Sequence, residues 1–302
     1  MKSRRNFLYL LPLIPATIVL AHMPSHALSA DQQLVEQARE CIEKQEFKTA
    51  LYYIDSAQKL NPRNRTIYYN RGRIFNKQEK YKEAFEQLTK AINLDPNYTS
   101  AIKRRGVVSI ELRQYKDALA DFDRALSIDP ADPEPYAGRT RAYCDLGENK
   151  LALKNVNELI KLAPERANYV IRARIKMKLG DHKGAIADCT RAAATSKRDD
   201  EAYLLIAQCH EALGDYKSAL ADYSHMLDFN KKDEMAFLKR GDVYLKLGES
   251  DKAVADYTNA IKYSPEANAS MYLARANAYR KANRMDLAKS DETVAGKIAG
   301  GK

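Results

Sequence analysis

A stretch of 34 residues recurs along the chain, and that recurrence limits the possible folds more than any other feature. Residues 65–97 read RTIYYNRGRIFNKQEKYKEAFEQLTKAINLDPN, and residues 99–132 read TSAIKRRGVVSIELRQYKDALADFDRALSIDPAD. Tyr81-Lys-Glu-Ala stands over Tyr115-Lys-Asp-Ala, and Leu94-Asp-Pro over Ile128-Asp-Pro, at an offset of 34 residues. A period of this length marks an array of small units, none of which can bury its apolar face alone.

Laid in one frame, the units are 31–64, 65–98, 99–132, 133–165, 166–199, 200–233, 234–268 and a degenerate last one, 269–302. Position 20 is alanine throughout: Ala50, Ala84, Ala118, Ala152, Ala185, Ala219, Ala253 and Ala288. Position 8 is small (Ala38, Gly72, Gly106, Thr140, Ala173, Ala207, Gly241, Ala276), and position 27 is mostly alanine. Each unit holds two apolar-periodic segments at helical spacing. Gly147, Gly180, Gly214 and Gly248 fall between the two segments, where a left-handed residue ends a helix. Pro62, Pro96, Pro130, Pro164 and Pro265 close units, since proline cannot continue a helical ladder.

This pattern resembles the tetratricopeptide repeat family over about 270 of the 302 residues. The resemblance implies an all-α, right-handed superhelical solenoid of about eight helix-turn-helix repeats, with 269–302 as the C-terminal cap. Position 7 departs from the family: it is arginine in six units, Arg71, Arg105, Arg139, Arg172, Arg240 and Arg275. The expectation is that their stems pack while their heads reach water.

In the family, the first helix of each unit lines a concave groove through positions 2, 5, 6, 9, 12 and 13. Position 9 carries Arg39, Arg73, Arg141 and Arg174, and Lys103 and Arg104 stand close by in the third unit. Asn70 and Arg104 match two parts of a clamp that some family members use on acidic chain ends. Val35, Arg39 and Ser100 depart from that clamp, which makes it doubtful here. Further along, Val170, Ile171, Met177, Leu204, Leu205 and Leu238 make the groove apolar. The expected partner is a protein or peptide segment with acidic and apolar parts. The alternative is an anionic polymer or membrane surface held by the same basic stripe.

Chemistry is hard to place on this chain. It has no nucleophile elbow, paired-acid motif or glycine-rich cofactor turn, so no enzyme activity and no cofactor are expected. His182, His210, His225, Cys189 and Cys209 share neighbouring units without metal-ligand spacing. Cys41, Cys144, Cys189 and Cys209 are read as buried thiols, with Cys189 and Cys209 on helices that should touch.

Residues 1–27 differ in kind. A basic start is followed by the apolar run FLYLLPLIPATIVLA at 7–21, which is short for a membrane span, and then by Ser25-His26-Ala27 as a cleavage site. This is the layout of a signal peptide, after whose removal no span remains. It implies a periplasmic or secreted protein of a bacterial envelope. Ser3-Arg4-Arg5-Asn6-Phe7-Leu8 also fits the twin-arginine export signal. The net charge is +10, of which Lys2, Arg4 and Arg5 lie in the leader. No compact basic run with interleaved aromatics follows, so nucleic acid is not an expected partner. Replacing Arg4 and Arg5 by lysine is expected to abolish export, measured by cell fractionation; undiminished export would point to the general secretory route.

Overall fold

The computed structural model of the chain describes residues 28–194 and 199–300. The signal peptide expected at 1–27 lies outside them. Sixteen helices, and no strand, occur among the described residues. They run as pairs: α1 (Ala30–Glu43) with α2 (Phe47–Leu60), α3 (Arg65–Lys77) with α4 (Tyr81–Leu94), and α5 (Thr99–Glu111) with α6 (Tyr115–Ile128). Then come α7 (Pro133–Asp145) with α8 (Asn149–Leu162), α9 (Arg166–Lys178) with α10 (His182–Ala193), and α11 (Asp200–Ala212) with α12 (Tyr216–Phe229). The last pairs are α13 (Glu234–Lys246) with α14 (Ser250–Tyr263) and α15 (Ala269–Lys281) with α16 (Met285–Gly300). The expected all-α solenoid of about eight helix pairs is what the chain forms. Its final helix runs on to Gly300.

Close approach within a pair depends on the small positions. The first seven alanines at position 20 are fully buried and Ala288 is 2% exposed. Where position 24 carries a large side chain, position 8 can give way entirely. Phe122 is fully buried, and a Cβ on Gly106 would sit 2.8 Å from its ring. Gly138, from the following unit, lies against the same end of that ring, where a Cβ would come within 2.3 Å of it. A methyl at either position would force the helices apart.

All eight first helices end in the same turn. The residue at position 15 has positive φ in every unit: Gln45, Glu79, Arg113 and Asn283, besides the four glycines. The following amide reaches back five residues, as in Glu46 N to Cys41 O (2.8 Å) and Glu148 N to Tyr143 O (2.9 Å), which closes the helix end. The glycines match the sequence expectation. The other four residues hold the same turn against the Cβ clash that disfavours it.

The arginines at position 7 do not reach into water as expected. Arg105, Arg172, Arg240 and Arg275 each fork onto a buried aspartate at position 23 of their own unit: Asp121, Asp188, Asp256 and Asp291. The third guanidinium nitrogen goes to position 25 of the preceding unit, at Thr89, Asn157, Ser224 or Thr258, over 3.0–3.2 Å. Units 2 and 4 have Gln87 and Asn155 at position 23. There the preceding unit supplies the carboxylate: Asp55 lies 2.6 Å from Arg71 and Asp123 lies 3.0 Å from Arg139. Every one of these arginines therefore meets one carboxylate, and Arg105, Arg172, Arg240 and Arg275 each tie three helices together. The correction has a plain cause. Position 7 faces two second helices at once, so the head is enclosed before it can reach solvent.

Cutting an arginine away should cost most where the carboxylate left behind is buried. Asp256 is 4% exposed, so Arg240→Ala is expected to destabilise by about 3 kcal/mol. The side chain of Asp55 is 62% exposed, so Arg71→Ala should cost under about 1 kcal/mol. Denaturant unfolding of the two variants measures the difference; equal losses would contradict this account of burial.

Candidate partner-binding groove

The first helices turn inward. α1 touches α3, α3 touches α5, α5 touches α7, and α9 touches α11, while successive second helices make no comparable contact. A row that is closer on one side must bend toward it, so the first helices form the concave wall and the second helices the outer one. The wall splits into a charged half, α1 to α9, and a more apolar half, α9 to α15.

In the charged half each position-9 arginine is already engaged. Arg39 pairs with Glu36 (2.5 Å), Arg73 with Glu43 (2.6 Å), Arg141 with Glu111 (2.8 Å) and Arg174 with Glu201 (2.8 Å). Three of the four pairs cross from one unit to its neighbour. Lys103 lies 2.6 Å from both Asp132 and Glu134. Burial works against its charge, but the two carboxylates outweigh burial and hold its pKa above the ordinary lysine value. Arg104 is half-buried and has no ion-pair partner among the described residues. Asn70 is fully buried rather than surface-lining. Its amide donates to Thr66 O (2.9 Å) and its carbonyl accepts from Arg73 (3.1 Å), so it positions Arg73.

Sequence reasoning passed over a tilted aromatic pair beside these groups. The rings of Tyr69 and Tyr98 lie 5.2 Å apart. Arg65 covers Tyr98 at 4.8 Å and Arg73 approaches Tyr69 at 5.9 Å, both within cation–π range. Tyrosine at position 5 of unit 2 was the available signal, since the same position is Val35 in unit 1 and Lys103 in unit 3. On the far side of Arg65 from this pair opens a hollow of about 490 Å³ lined by Val35, Arg39, Asn64, Arg65, Thr66 and Asp95.

In the apolar half, Val170 and Leu205 are 4% and 7% exposed and belong to the core between units 5 and 6. They are not wall residues, because their helix face turns toward α10. Leu204, Leu238 and Met177 are partly covered. Ile171 (38% exposed) does face outward, together with Met235 (46%) and Leu273 (49%), which sequence reasoning did not select. A second hollow gathers Lys239, Lys246, Asn277 and Lys281 around Glu211 and Asp242. Glu211 accepts from the Tyr223 hydroxyl (2.7 Å) and Asp242 from the Tyr257 hydroxyl (2.8 Å). Burial, with these acidic partners, pushes both phenols well above the ordinary tyrosine value.

Unit 6 breaks the arginine pattern. Ile206 stands at position 7, and the aspartate at position 23, Asp222, meets His210 Nδ1 at 2.7 Å instead. Burial raises the Asp222 pKa and His210 only partly offsets it. Among the described residues no cluster of three metal-ligating side chains occurs. Within the same residues, no helix is long and apolar enough to cross a membrane. Cys189 and Cys209 are free thiols in one core cluster, with burial pushing the Cys189 thiol up to about 12 and the Cys209 thiol to about 11.

Four family models, each describing a tetratricopeptide repeat, match residues 66–98, 104–132, 176–239 and 238–289. Among curated proteins no match was found. Several solved structures share the fold. A tetratricopeptide repeat protein from Parabacteroides merdae ATCC 43184 is 19% identical, with 90% of this chain and 94% of that one covered and a TM-score of 0.51. The C-terminal part of a repeat protein from Cytophaga hutchinsonii is 14% identical, covers 77% and 96% of the two chains, and reaches a TM-score of 0.68. YrrB, described as a protein of this repeat type with an unusual peptide-binding site, is 20% identical over 65% of this chain and 99% of its own, with a TM-score of 0.53.

The acid limit of the fold follows from its paired aspartates. Arg166 bonds to Asp199 and holds its pKa below the ordinary carboxylate value, against burial. Burial alone would raise Asp188, but Arg172 and Lys176 outweigh it and lower it too. A lowered folded-state pKa contributes stability above the unfolded value, which is lost as pH falls through the folded value. Helical circular dichroism should therefore hold near neutrality and collapse below about pH 4; an acid-resistant signal would contradict the pairing.

Proposed function

This chain is built of tetratricopeptide repeats, and on that premise we propose that it is a non-enzymatic scaffold that takes a protein or peptide segment onto its concave wall. The observation that carries this reading is the set of exposed apolar residues on the first helices of units 5, 7 and 8. Ile171, Met235 and Leu273 are large apolar side chains on first helices, and each leaves more than a third of its surface exposed. Water-exposed apolar groups lining a concavity are what a bound segment covers.

The charged half then sets the character of the partner. Its arginines are preorganised by Glu36, Glu43, Glu111 and Glu201, and each retains further donors for an incoming carboxylate. A partner segment with apolar residues toward units 5 to 8 and acidic residues toward units 1 to 4 fits both halves. The leader at 1–27 supports placing this scaffold outside the cytoplasm, in a bacterial envelope. The peptide-binding site of YrrB supports the class of ligand.

The test is a pull-down from envelope extract with wild type beside the triple variant Ile171→Ser, Met235→Ser, Leu273→Ser. The three sites are exposed, so stability should move by no more than about 0.5 kcal/mol each. Partners retained by wild type should be lost from the variant; identical partner lists would overturn the assignment of the wall.

A further inference from the structure

Unit 6 keeps the receiving half of the arginine fork. Asp222 stands at position 23, where Asp121, Asp188, Asp256 and Asp291 each take a guanidinium. Thr190 stands at position 25 of the preceding unit, where Thr89, Asn157, Ser224 and Thr258 take the third nitrogen. Thr190 is also turned as its counterparts are. Its hydroxyl donates to Ile186 O (2.8 Å), as Ser224 donates to Leu220 O and Thr258 to Val254 O (both 2.7 Å). In each case the lone pairs are left for an incoming donor. Position 7, the source of the guanidinium elsewhere, is Ile206, whose side chain has no donor.

The carboxylate itself shows the difference. The Asp222 side chain is 18% exposed, against 4–7% for the four forked aspartates. His210 meets one of its oxygens, Oδ2, and among the described residues no hydrogen bond reaches Oδ1. The histidine does not use up the carboxylate. In unit 5 the residue at the same position 11, Lys176, lies 2.8 Å from Asp188 Oδ2 while Arg172 forks onto both oxygens of that aspartate. With two cations Asp188 is held below the ordinary carboxylate value; Asp222 stays above it, because burial outweighs its histidine neighbours. The nearest cations are turned elsewhere or stand apart. Arg191, next to Thr190, lies over the Tyr169 ring at 5.8 Å, and Lys183 and Lys217 sit at the starts of α10 and α12. Ala221, beside Asp222, and Ala187, one turn before Thr190, are small and exposed.

We propose that Asp222 and Thr190 form a binding site on the outer wall, between α10 and α12, for an arginine side chain presented by a partner protein. The chain itself shows the ligand. In four other units an aspartate at position 23 and a polar group at position 25 of the unit before close together on a guanidinium. A planar fork meets both groups at once, whereas the ammonium of lysine is a point charge. The forked arginines are themselves 17–19% exposed, so the place they take opens to solvent. In unit 6 the head arrives from that side instead of along a stem from position 7. The site lies on second helices and is independent of the segment proposed for the concave wall.

The probe is propylguanidinium, the head and stem of arginine, titrated into the isotopically labelled full chain while backbone amide shifts are followed by NMR. Saturable shifts are expected at Thr190, Ala221 and Asp222. Propylammonium, of the same charge, should bind there at least about fivefold more weakly. Asp222→Asn should lose the saturable response. Ile206→Arg should lose it too, since its own guanidinium would then fork onto Asp222 and Thr190, and for the same reason it should melt at or above the wild-type temperature. The proposal is overturned if wild type gives no saturable shift at these residues, or if propylammonium binds as well as propylguanidinium. It is also overturned if either variant still binds, or if Ile206→Arg melts below wild type, which would mean that no guanidinium fits between the two groups.

Discussion

One guanidinium in each of six units, held by one carboxylate, is the interaction on which the array depends. An arginine enclosed by three helices cannot lose its charge, and leaving it unpaired there would cost several kcal/mol. The units solve the problem in two ways. Four carry an aspartate at position 23 of their own second helix, and two borrow one from position 25 of the unit before. Wherever the aspartate is local, the borrowed position is a neutral Thr, Asn or Ser that accepts a hydrogen bond. Alanine contacts bring the helices together without direction; the arginine fork fixes how each pair leans on the next. The rule is relaxed in unit 1, which starts the array with Gln37 at that position, and in unit 6, with Ile206 and the His210–Asp222 pair.

Most of the fold was legible in the sequence because its packing is periodic. Position 20 repeats as alanine since the same two helices cross there in every unit, and its burial follows from that crossing. Gly147, Gly180, Gly214 and Gly248 announced their turns. Gln45, Glu79 and Arg113 did not, because nothing in their side chains advertises a left-handed backbone; only the register does, whereas Asn283 is of the one non-glycine type that takes this turn readily. The arginines at position 7 were visible but misread. Their partners lie 16 residues on, or in the unit before, and that distance in sequence means proximity only once the solenoid is wound.

The candidate wall was less legible for the same reason. Arg73, Arg141 and Arg174 line up at one position, yet each is neutralised by an acidic residue of a neighbouring unit, at position 13 or position 2. Leu204 and Leu205 are adjacent in sequence, and the helix turn between them divides surface from core. Charge at a repeat position is a poor guide to free charge, since the superhelix decides which carboxylates come within reach.

The borrowed carboxylates also make the units unequal as parts. Arg139 relies on Asp123, so unit 4 is complete only behind unit 3, and Arg71 binds unit 2 to unit 1 in the same way. If unit 3 alone were excised, Arg139 would face Thr89, with Asn155 as its local neighbour, and no carboxylate would remain for it. Excising units 3 and 4 together would instead set Arg172, which has Asp188, against Thr89, a hydroxyl of the kind such arginines already use. The front half of the chain is thus spelled in doublets and the back half in single letters, so lengthening or shortening by recombination is permitted at some junctions and penalised at others.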